Sequence, residues 1–342
     1  MNSVLLVEPG RLQNVELPDA AQPGAGEALV RVHRVGVCGT DLHAFRGRQP
    51  FFTYPRILGH ELGVEVLSFG PGVSGLAVGD RCAVEPYLNC GRCIACRRGK
   101  PNCCRDLKVL GVHVDGGLRE AFIVPAAKLH VSRTLSFDQL ALVETLGIGA
   151  HAVERASLTA GETVAVLGTG PIGLAVIQFA LAAGARVLAV DLNARRLAFC
   201  RDRLGLPADA TIDTQVFPDV AARLAKLTDG DLPTAVFDAT GNPASMAASF
   251  NYPAHGGRLV FVGLFTGDIT FNDPNFHRRE LTLLASRNAR PEDFRRIISL
   301  VESGRVDTTP WITHRAAIRD VPNEFATWID PDAGVLKAMI TV

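Results

Sequence analysis

The sequence has no surplus of charge of either sign and no long uninterrupted hydrophobic run. It carries 35 Lys and Arg residues against 35 Asp and Glu residues, which argues against a nucleic acid or an anionic membrane as the main partner. The longest apolar stretch, near residues 172–190, is interrupted by Gln178, Gly184 and Arg186, so we expect no membrane span. The N-terminus has no basic segment and only a short apolar run, so we expect no signal peptide and a cytoplasmic protein.

Cysteine is also too scarce for a fold held together by disulfides, with eight residues in 342. Half of these cysteines nevertheless lie in one short stretch, as Cys90, Cys93, Cys96 and Cys104. Two two-residue gaps followed by a seven-residue gap let one small lobe wrap four thiolates around a single ion, which is typical of structural zinc. Cys103 is adjacent to Cys104, and spacing alone leaves either of them as the fourth ligand.

A second and different set of candidate ligands precedes this lobe. Cys38 opens the run Cys-Gly-Thr-Asp-Leu-His at residues 38–43, and Gly-His60-Glu61 follows about twenty residues later. A sulfur, an imidazole and a carboxylate are typical of catalytic zinc, which keeps one open position. Because neighbouring side chains on a regular strand point to opposite faces, either the chain is irregular at His60 or Glu61 acts partly from outside the ligand set.

The arrangement of predicted elements changes along the chain. Residues 1–145 contain many short strands between turns, whereas strands and helices alternate from about Glu162 onward. Thr163–Leu167 and Arg186–Val190 are predicted strands, with a helix between them, and residues 291–303 form a later helix. Alternating strands and helices predict a parallel sheet, and therefore an α/β protein. With 47% hydrophobic residues, the chain is long enough to bury two cores.

A glycine-rich turn joins the first of these strands to its helix. The turn comprises Gly168, Gly170, Pro171, Ile172 and Gly173. This G-x-G-x-x-G spacing is typical of dinucleotide binding, because it brings the backbone and the N-terminus of a helix close to a pyrophosphate. Asp191 follows Gly168 by 23 residues, where a carboxylate binds a ribose 2′-hydroxyl and favours NAD over NADP. Arg195 and Arg196 could instead accept a 2′-phosphate, which leaves NADP as the alternative.

These motifs, in this order and at these spacings, resemble the zinc-dependent medium-chain dehydrogenase/reductase family over essentially the whole chain. Glu85-Pro86 and the segment Leu-Val-Glu-Thr-Leu at 142–146 resemble in particular its sorbitol, threonine and sugar-acid dehydrogenase branch. The resemblance implies a GroES-like, β-rich catalytic domain at 1–145 and 286–342 and a doubly wound Rossmann domain at 146–285. It implies two zinc ions per chain, a cleft between the domains for substrate and nicotinamide, and a homodimer or homotetramer.

The resemblance also implies which residues hold the two zinc ions. Cys38 and His60 would bind the catalytic zinc, and Glu61 would ligate it directly or exchange with water. Glu144 stands at a position that is near the metal in the polyol branch, often through a water molecule. Cys104 rather than Cys103 would complete the structural site with the three preceding cysteines.

Four further residues receive roles from the same resemblance. Thr40 would supply a hydroxyl beside the substrate, Asp41 would orient a metal ligand, and His43 would form the outer end of a proton relay. Lys337, near the C-terminus, matches a basic residue that contacts a cofactor phosphate.

Together these features predict an oxidoreductase that transfers a hydride from a secondary alcohol of a polyol, sugar or sugar acid to NAD. A zinc ion assists by making the alcohol proton easier to remove, as it does for bound water. One alternative is a primary-alcohol or amino-alcohol (threonine-type) dehydrogenase. Another is a catalytically silent cofactor-binding sensor or structural protein, although such a protein would not need the intact metal motifs.

Two clusters of side chains are open to two interpretations each. The aromatic residues before the Gly-His-Glu segment either belong to the core or line the substrate cleft; they are Phe45, Phe51, Phe52 and Tyr54. Arginines near the end of the α/β region either form a solvated face or a wall that binds a substrate carboxylate. They are Arg278, Arg279, Arg287 and Arg290.

Overall fold

The computed structural model describes residues 1–49 and 52–342, which divide into two compact units. The first unit contains Met1–Thr145 and Ala289–Val342, and the second contains Leu146–Asn288. The prediction of an α/β protein with one β-rich part and one alternating part is confirmed by this arrangement of elements.

The first unit is built mainly from short antiparallel strands. They are β1 (Asn2–Glu8), β2 (Arg11–Glu16), β3 (Glu27–Gly36), β4 (Arg56–Ile57), β5 (Glu61–Phe69), β6 (Arg81–Val84), β7 (Tyr87–Leu88), β8 (Lys108–Val109), β9 (Ala121–Pro125) and β10 (Leu129–Val131). The C-terminal part of the chain adds β17 (Ile312–Ala317) and β18 (Lys337–Thr341). Six strands of the largest sheet follow the order β10-β6-β5-β3-β18-β17, and β9 also pairs with β3.

The helices of the first unit are short, and most of them connect strands. They are α1 (Gly39–Phe45), α2 (Ile94–Arg97), α3 (Phe137–Ala141), α10 (Pro291–Glu302) and α11 (Val321–Glu324), and α4 (Val143–Ala156) begins in this unit. β18 pairs antiparallel with β3 and parallel with β17, so the end of the chain lies next to the strand that leads into Cys38.

The second unit contains one parallel six-stranded sheet. Its strands are β11 (Thr163–Leu167), β12 (Arg186–Asp191), β13 (Thr211–Asp213), β14 (Ala235–Asp238), β15 (Arg258–Phe261) and β16 (Thr282–Ala285). Its helices are α5 (Pro171–Ala182), α6 (Ala194–Leu204), α7 (Val220–Leu227), α8 (Pro243–Ala248) and α9 (Asp273–Arg278). The order β13-β12-β11-β14-β15-β16 reverses direction between β11 and β14, which is the point where doubly wound sheets bind ligands.

The element boundaries follow the hydrophobic pattern of the sequence closely. The predicted strand Thr163–Leu167 is β11, and the predicted strand at 186–190 extends by one residue to Asp191 in β12. Residues 291–302 form the predicted C-terminal helix, which begins with proline at its first position. These elements are buried on one or both faces, and their apolar periodicity is therefore strong.

The two ambiguous side-chain clusters have different outcomes. Phe45, Phe52 and Tyr54 are half-buried and pack against the hydrophobic core of the first unit, whereas Phe51 lies outside the described residues. Arg279 is buried in the second unit, where its guanidinium donates to the backbone carbonyls of Phe250 and Pro253. Because its side chain is buried and donates to the backbone of its own unit, we interpret Arg279 as a structural residue rather than part of a carboxylate-binding wall.

Within the part of the chain that the structure describes, no helix is both long enough and apolar enough to cross a membrane.

An ion-pair clamp joins α3 to two strands of the large sheet. Asp138 accepts hydrogen bonds from Arg34 of β3 at 2.8 Å and from Arg315 of β17 at 2.6 Å. Burial alone would raise the pKa of the Asp138 carboxyl, but the hydrogen bonds and charges of the two arginines outweigh it and hold the pKa below its ordinary value. The clamp therefore favours the ionised carboxylate in the folded protein.

We predict that Asp138→Asn lowers the free energy of unfolding at pH 7 by about 1 kcal/mol, because the pair is partly solvated. A depressed folded-state pKa contributes stability above the unfolded-state value, and this contribution is lost as the pH falls through the folded-state value. In urea denaturation, the difference in the free energy of unfolding between Asp138→Asn and wild type should therefore disappear at pH 3 or below. Asp268→Asn, at an exposed position, is the matched control; an effect of Asp138→Asn that does not depend on pH would contradict the prediction.

Candidate active site

The four-cysteine lobe brings four sulfur atoms together. The ligand atoms of Cys90, Cys93, Cys96 and Cys104 all lie within 4.8 Å of one another, and all eight cysteines of the chain are free of disulfides. The sulfurs of Cys93 and Cys96 are 3.5 Å apart. Zinc–sulfur bonds of about 2.3 Å in a tetrahedron place the sulfurs about 3.8 Å apart, so the donor set fits a zinc ion.

The electrostatics of the lobe also favour a cation. Backbone N–H groups of Cys96 and Arg105 lower the pKa of the Cys93 thiol to about 6, whereas burial raises the pKa of the Cys104 thiol to about 11. As thiolates, four sulfurs this close would repel one another, and a divalent ion would remove that repulsion and favour the thiolate form of all four. Cys103 is exposed and lies outside the group, so Cys104 is the fourth member, as the resemblance implies.

A second group of ligand atoms lies where β3, α1 and β5 meet. Cys38 immediately precedes α1, His60 immediately precedes β5, and Glu61 is the first residue of β5. Ligand atoms of these three residues lie within 4.8 Å of one another, so the adjacent His60 and Glu61 do converge. Gly59 has a φ of +95°, which makes the chain irregular just before the strand and accounts for this convergence.

Glu61 lies against a glycine of the neighbouring strand. Gly36 and Glu61 are register partners in the β3–β5 pair. A Cβ atom at Gly36 would lie 2.1 Å from Glu61 Oε2, so the carboxylate occupies the space that any other residue would fill. The pairing of β3 with β5 therefore fixes both the position of Glu61 and the identity of residue 36.

The surroundings of His60 are strongly negative. Asp41 is buried; its Oδ2 accepts a hydrogen bond from the Cys38 backbone at 2.9 Å, and its Oδ1 lies 3.6 Å from His60 Nδ1. Burial disfavours a charged imidazole, but the charges of Asp41 and Cys38 outweigh burial and raise the pKa of His60 well above its ordinary value. Asp41 Oδ1 and His60 Nδ1 are buried with no hydrogen-bond partner among the described residues. An environment that favours positive charge on His60 also suits a metal cation.

Glu144 lies beside this group rather than within it. The carboxylate is buried at the start of α4, and its charge acts on His60. Tyr87 of β7 donates its hydroxyl proton to Glu144 Oε1. Burial and the neighbouring carboxylate raise the pKa of Tyr87 well above its ordinary value, so the phenol stays protonated and able to donate. Tyr87 is a site residue that the sequence analysis missed, because only the tertiary fold brings β7 to α4.

Lys337, which resembles a residue that contacts a cofactor phosphate, lies next to the metal-ligand group in this structure. Its ammonium is buried in the first unit and contacts both carboxylate oxygens of Glu61, at 2.7 and 2.8 Å. Burial lowers the pKa of Lys337, but the charges of Glu61 and Cys38 outweigh it, and the pKa lies above its ordinary value. The contacts of this lysine therefore point to the metal-ligand group.

Thr40 and His43 share one face of α1. They are three residues apart, which places their side chains next to each other on a helix. Thr40 is half-buried and His43 is exposed. The first turns of α1 therefore carry a half-buried hydroxyl two residues after Cys38 and an exposed imidazole three residues further on.

The glycine-rich turn joins β11 to α5 in the second unit. Gly168 has a φ of +82°, and Gly170 caps α5, with Pro171 at its first position and Ile172 next to it. A Cβ atom at Gly173 would lie 1.8 Å from the carbonyl oxygen of Gly168, so only glycine lets the helix pack against the turn. At Gly170 an added Cβ would make ordinary contact with the Arg196 guanidinium at 3.5 Å, which places a cation beside the turn.

Asp191 is tied to the same turn. Its Oδ2 accepts hydrogen bonds from the backbone N–H and the hydroxyl of Thr169, at 2.6 and 2.8 Å. Its Oδ1 accepts from the backbone N–H of Asn193 at 2.8 Å. The carboxylate at the end of β12 is thus held rigidly next to the point where the sheet order reverses.

Comparison with known proteins agrees with this geometry. Residues 24–133 match the model of the alcohol dehydrogenase GroES-like domain, and residues 171–303 match that of the zinc-binding dehydrogenase domain. The chain is 40% identical to L-galactonate-5-dehydrogenase of Escherichia coli K12, over 100% of this chain and 99% of that protein.

Two solved structures of bacterial proteins have the same fold. One is a "short chain alcohol dehydrogenase (rspB)" from E. coli CFT073 in complex with NADH, with a TM-score of 0.90 and 29% identity over 100% of this chain and 99% of the other. The other is a zinc-binding dehydrogenase from Sinorhizobium meliloti 1021 bound to NADP, with a TM-score of 0.88, 30% identity and the same coverage. With these matches along its whole length, the chain belongs to the zinc-dependent medium-chain dehydrogenase/reductase family and is an oxidoreductase of alcohol groups.

Proposed function

We propose that the protein oxidises a secondary alcohol of a sugar acid, sugar or polyol with NAD as the hydride acceptor. The observation that supports a zinc-dependent oxidation is the compact group of Cys38, His60 and Glu61, because a mixed set of donor atoms is typical of catalytic zinc. The substrate class is supported by the end-to-end similarity to a protein named L-galactonate-5-dehydrogenase.

The two units would have different functions. The first unit, Met1–Thr145 with Ala289–Val342, holds both groups of metal ligands, and we assign it the metal chemistry. The second unit, Leu146–Asn288, contains the parallel sheet with the glycine-rich turn, and we assign it the dinucleotide. Reduced thiolates in the zinc lobe favour a reducing compartment, which supports a cytoplasmic location.

Cys38, His60 and Glu61 would hold the catalytic zinc, with Asp41 orienting His60 and Glu144 beside the group. A bound zinc ion supplies a Lewis acid for the substrate hydroxyl, and the nicotinamide supplies the hydride acceptor. The side chains of His60, Glu61 and Glu144 are buried, so most of the group is shielded from solvent. Shielding from solvent strengthens the electrostatic interactions that act on the substrate.

Proton removal would use the exposed face of α1. The half-buried Thr40 hydroxyl would accept the proton of the substrate hydroxyl while passing its own proton toward His43, and the His43 imidazole would accept that proton on one ring nitrogen and release one to solvent. His43 suits the outer position because its imidazole is exposed to solvent.

The cofactor would lie on the N-terminus of α5. Gly170 leaves room for the pyrophosphate, and Arg196 supplies a positive charge beside it. Asp191 is held by Thr169 and Asn193 where it can accept from a ribose 2′-hydroxyl and repel a 2′-phosphate. This arrangement supports NAD over NADP.

The direct test is a substrate screen with the zinc-loaded enzyme, in which NADH absorbance is followed for aldonates, aldoses, polyols, primary alcohols and L-threonine. NAD and NADP are compared side by side. We expect turnover with at least one hydroxy acid or polyol and a higher kcat/KM with NAD. Turnover confined to threonine or to simple primary alcohols would reject the substrate class. Binding of NAD without any turnover would reject the enzymatic proposal.

The two metal groups should differ in their effect on folding. Cys93→Ser should lower the melting temperature by on the order of 10 °C or more, or cause aggregation, because a structural zinc contributes folding free energy directly. Cys38→Ser should leave a folded protein with one zinc per chain instead of two. Elemental analysis and differential scanning calorimetry measure both effects, and equal melting temperatures for the two variants would contradict this division of roles.

Thr40→Ala should reduce kcat by about 100-fold or more, as expected for loss of a positioned proton-transfer group. Both zinc ions should remain, because Thr40 is not in the ligand group. Thr40→Ser keeps the hydroxyl and is the matched control, with activity expected within a few-fold of wild type. Turnover of Thr40→Ala near the wild-type value would show that the hydroxyl is not part of the proton path.

We also propose that the chain forms a homo-oligomer, dimer or tetramer, through the edge of the parallel sheet. β16 pairs with β15 on one side only among the described residues, and Leu283 on this strand is exposed. An edge strand with an exposed apolar side chain readily pairs with a second copy. Leu283→Lys should shift the mass measured by light scattering toward the monomer, whereas Val78→Lys, at another exposed position, should not. An unchanged mass for Leu283→Lys would place the interface elsewhere.

A further inference from the structure

Lys337 is a buried cation held close to the metal-ligand group. Its side chain is 2% exposed and that of its partner Glu61 is 1% exposed. The ammonium nitrogen lies 2.7 Å from Oε1 and 2.8 Å from Oε2 of Glu61. A charge buried this deeply is tolerated only when it is paired with an opposite charge and its hydrogen bonds are satisfied. Lys337 and Glu61 therefore each depend on the other to remain charged in this position.

Two further contacts fix the same ammonium. It lies 3.2 Å from the carbonyl oxygen of Val37 and 3.3 Å from the hydroxyl oxygen of Thr145. An ammonium has three N–H donors, and these acceptors use all of them. A cofactor phosphate would therefore have to displace one of the partners in order to bind Lys337.

The three partners come from the three chain segments that carry the site. Val37 directly precedes Cys38, Glu61 directly follows His60, and Thr145 directly follows Glu144. One ammonium therefore ties together segments that are far apart in the sequence. The backbone supports this position, because Lys337 begins β18 and the next residue, Ala338, accepts a hydrogen bond from the Val37 N–H at 3.0 Å.

Gly36 completes the enclosure of the Glu61 carboxylate. Its missing side chain leaves the space in which Oε2 lies, since an added Cβ would be 2.1 Å from that atom. Glu61 is thus confined by Gly36 and held by Lys337. The carboxylate has little freedom to turn away from Cys38 and His60.

We propose that Lys337 is a positioning residue of the catalytic metal centre, which orients Glu61 toward the metal and offsets its charge, rather than a ligand of a cofactor phosphate. This inference rests on the proposed function only in taking Cys38, His60 and Glu61 as metal ligands. Partners that orient metal ligands from behind commonly change metal affinity by about 10- to 100-fold when they are removed.

The test compares wild type with Lys337→Met in two independent measurements. In the first, the catalytic zinc is replaced by Co(II), whose absorption spectrum reports ligand geometry, and metal release to a chelator is timed. In the second, NADH binding is titrated by fluorescence. For Lys337→Met we expect an altered cobalt spectrum and release at least about 10-fold faster. The Kd for NADH should stay within about twofold of wild type, because this lysine has no donor left for a phosphate.

The opposite pattern would overturn the proposal. An unchanged cobalt spectrum and release rate, together with a large loss of NADH affinity, would assign Lys337 to the cofactor. Lys337→Arg keeps the charge and is the conservative variant, and we expect it to restore part of the metal retention but not the wild-type spectrum, since a planar guanidinium cannot reproduce the four contacts.

If Lys337→Met does not fold, a more conservative substitution can test the same role of Lys337. Thr145→Val removes one acceptor of the ammonium without changing the size of the side chain. It should accelerate metal release by a few-fold and leave NADH binding unchanged. Retention of the zinc in the four-cysteine lobe shows that each variant is folded, and wild-type metal release from Thr145→Val would reject the role of Lys337. A wild-type enzyme that is inactive with every alcohol tested would reject the proposed function while leaving these metal measurements interpretable.

Discussion

The buried charges around Glu61 are the constraint on which the first unit depends most. Within one small region the chain places the carboxyl groups of Asp41, Glu61 and Glu144, the thiol of Cys38 and the ammonium of Lys337. Charges removed from water are costly unless each is paired, so the strands that supply them must meet with little freedom. The pairing of β3 with both β5 and β18 meets this requirement, and it also places the C-terminal strand beside the ligand group.

The two groups of metal ligands are built in contrasting ways. The four-cysteine lobe is formed by one continuous segment of fifteen residues, and its geometry depends on local turns and one short helix. The group at Cys38 is assembled from separate segments that only the large sheet brings together. The lobe can organise itself around an ion, whereas the other group requires a folded unit. This difference is the reason to associate the lobe with stability and the Cys38 group with chemistry.

A polar connection extends from the cysteine lobe toward Glu144. Asn89 donates to the Cys96 sulfur at 3.7 Å and accepts from Lys128 at 3.0 Å, and Lys128 pairs with the buried Glu85. Tyr87, between Glu85 and Asn89 in the sequence, donates to Glu144. The segment that enters the lobe therefore also holds a carboxylate of the site.

The sequence by itself determined the elements whose signals are local. The strand–turn–helix at 163–182 follows from an apolar strand and a glycine spacing, and the four cysteines follow from their gaps, because in each case neighbouring residues make the contacts. Only the tertiary structure decided the partners of Lys337, the hydrogen bond from Tyr87 to Glu144 and the need for glycine at position 36. Each of these depends on which strands become neighbours in a sheet, and no short-range pattern specifies how residues 36, 61 and 337 meet. Those contacts follow from strand pairing across almost the full length of the chain, which is set by the balance of burial over the whole unit.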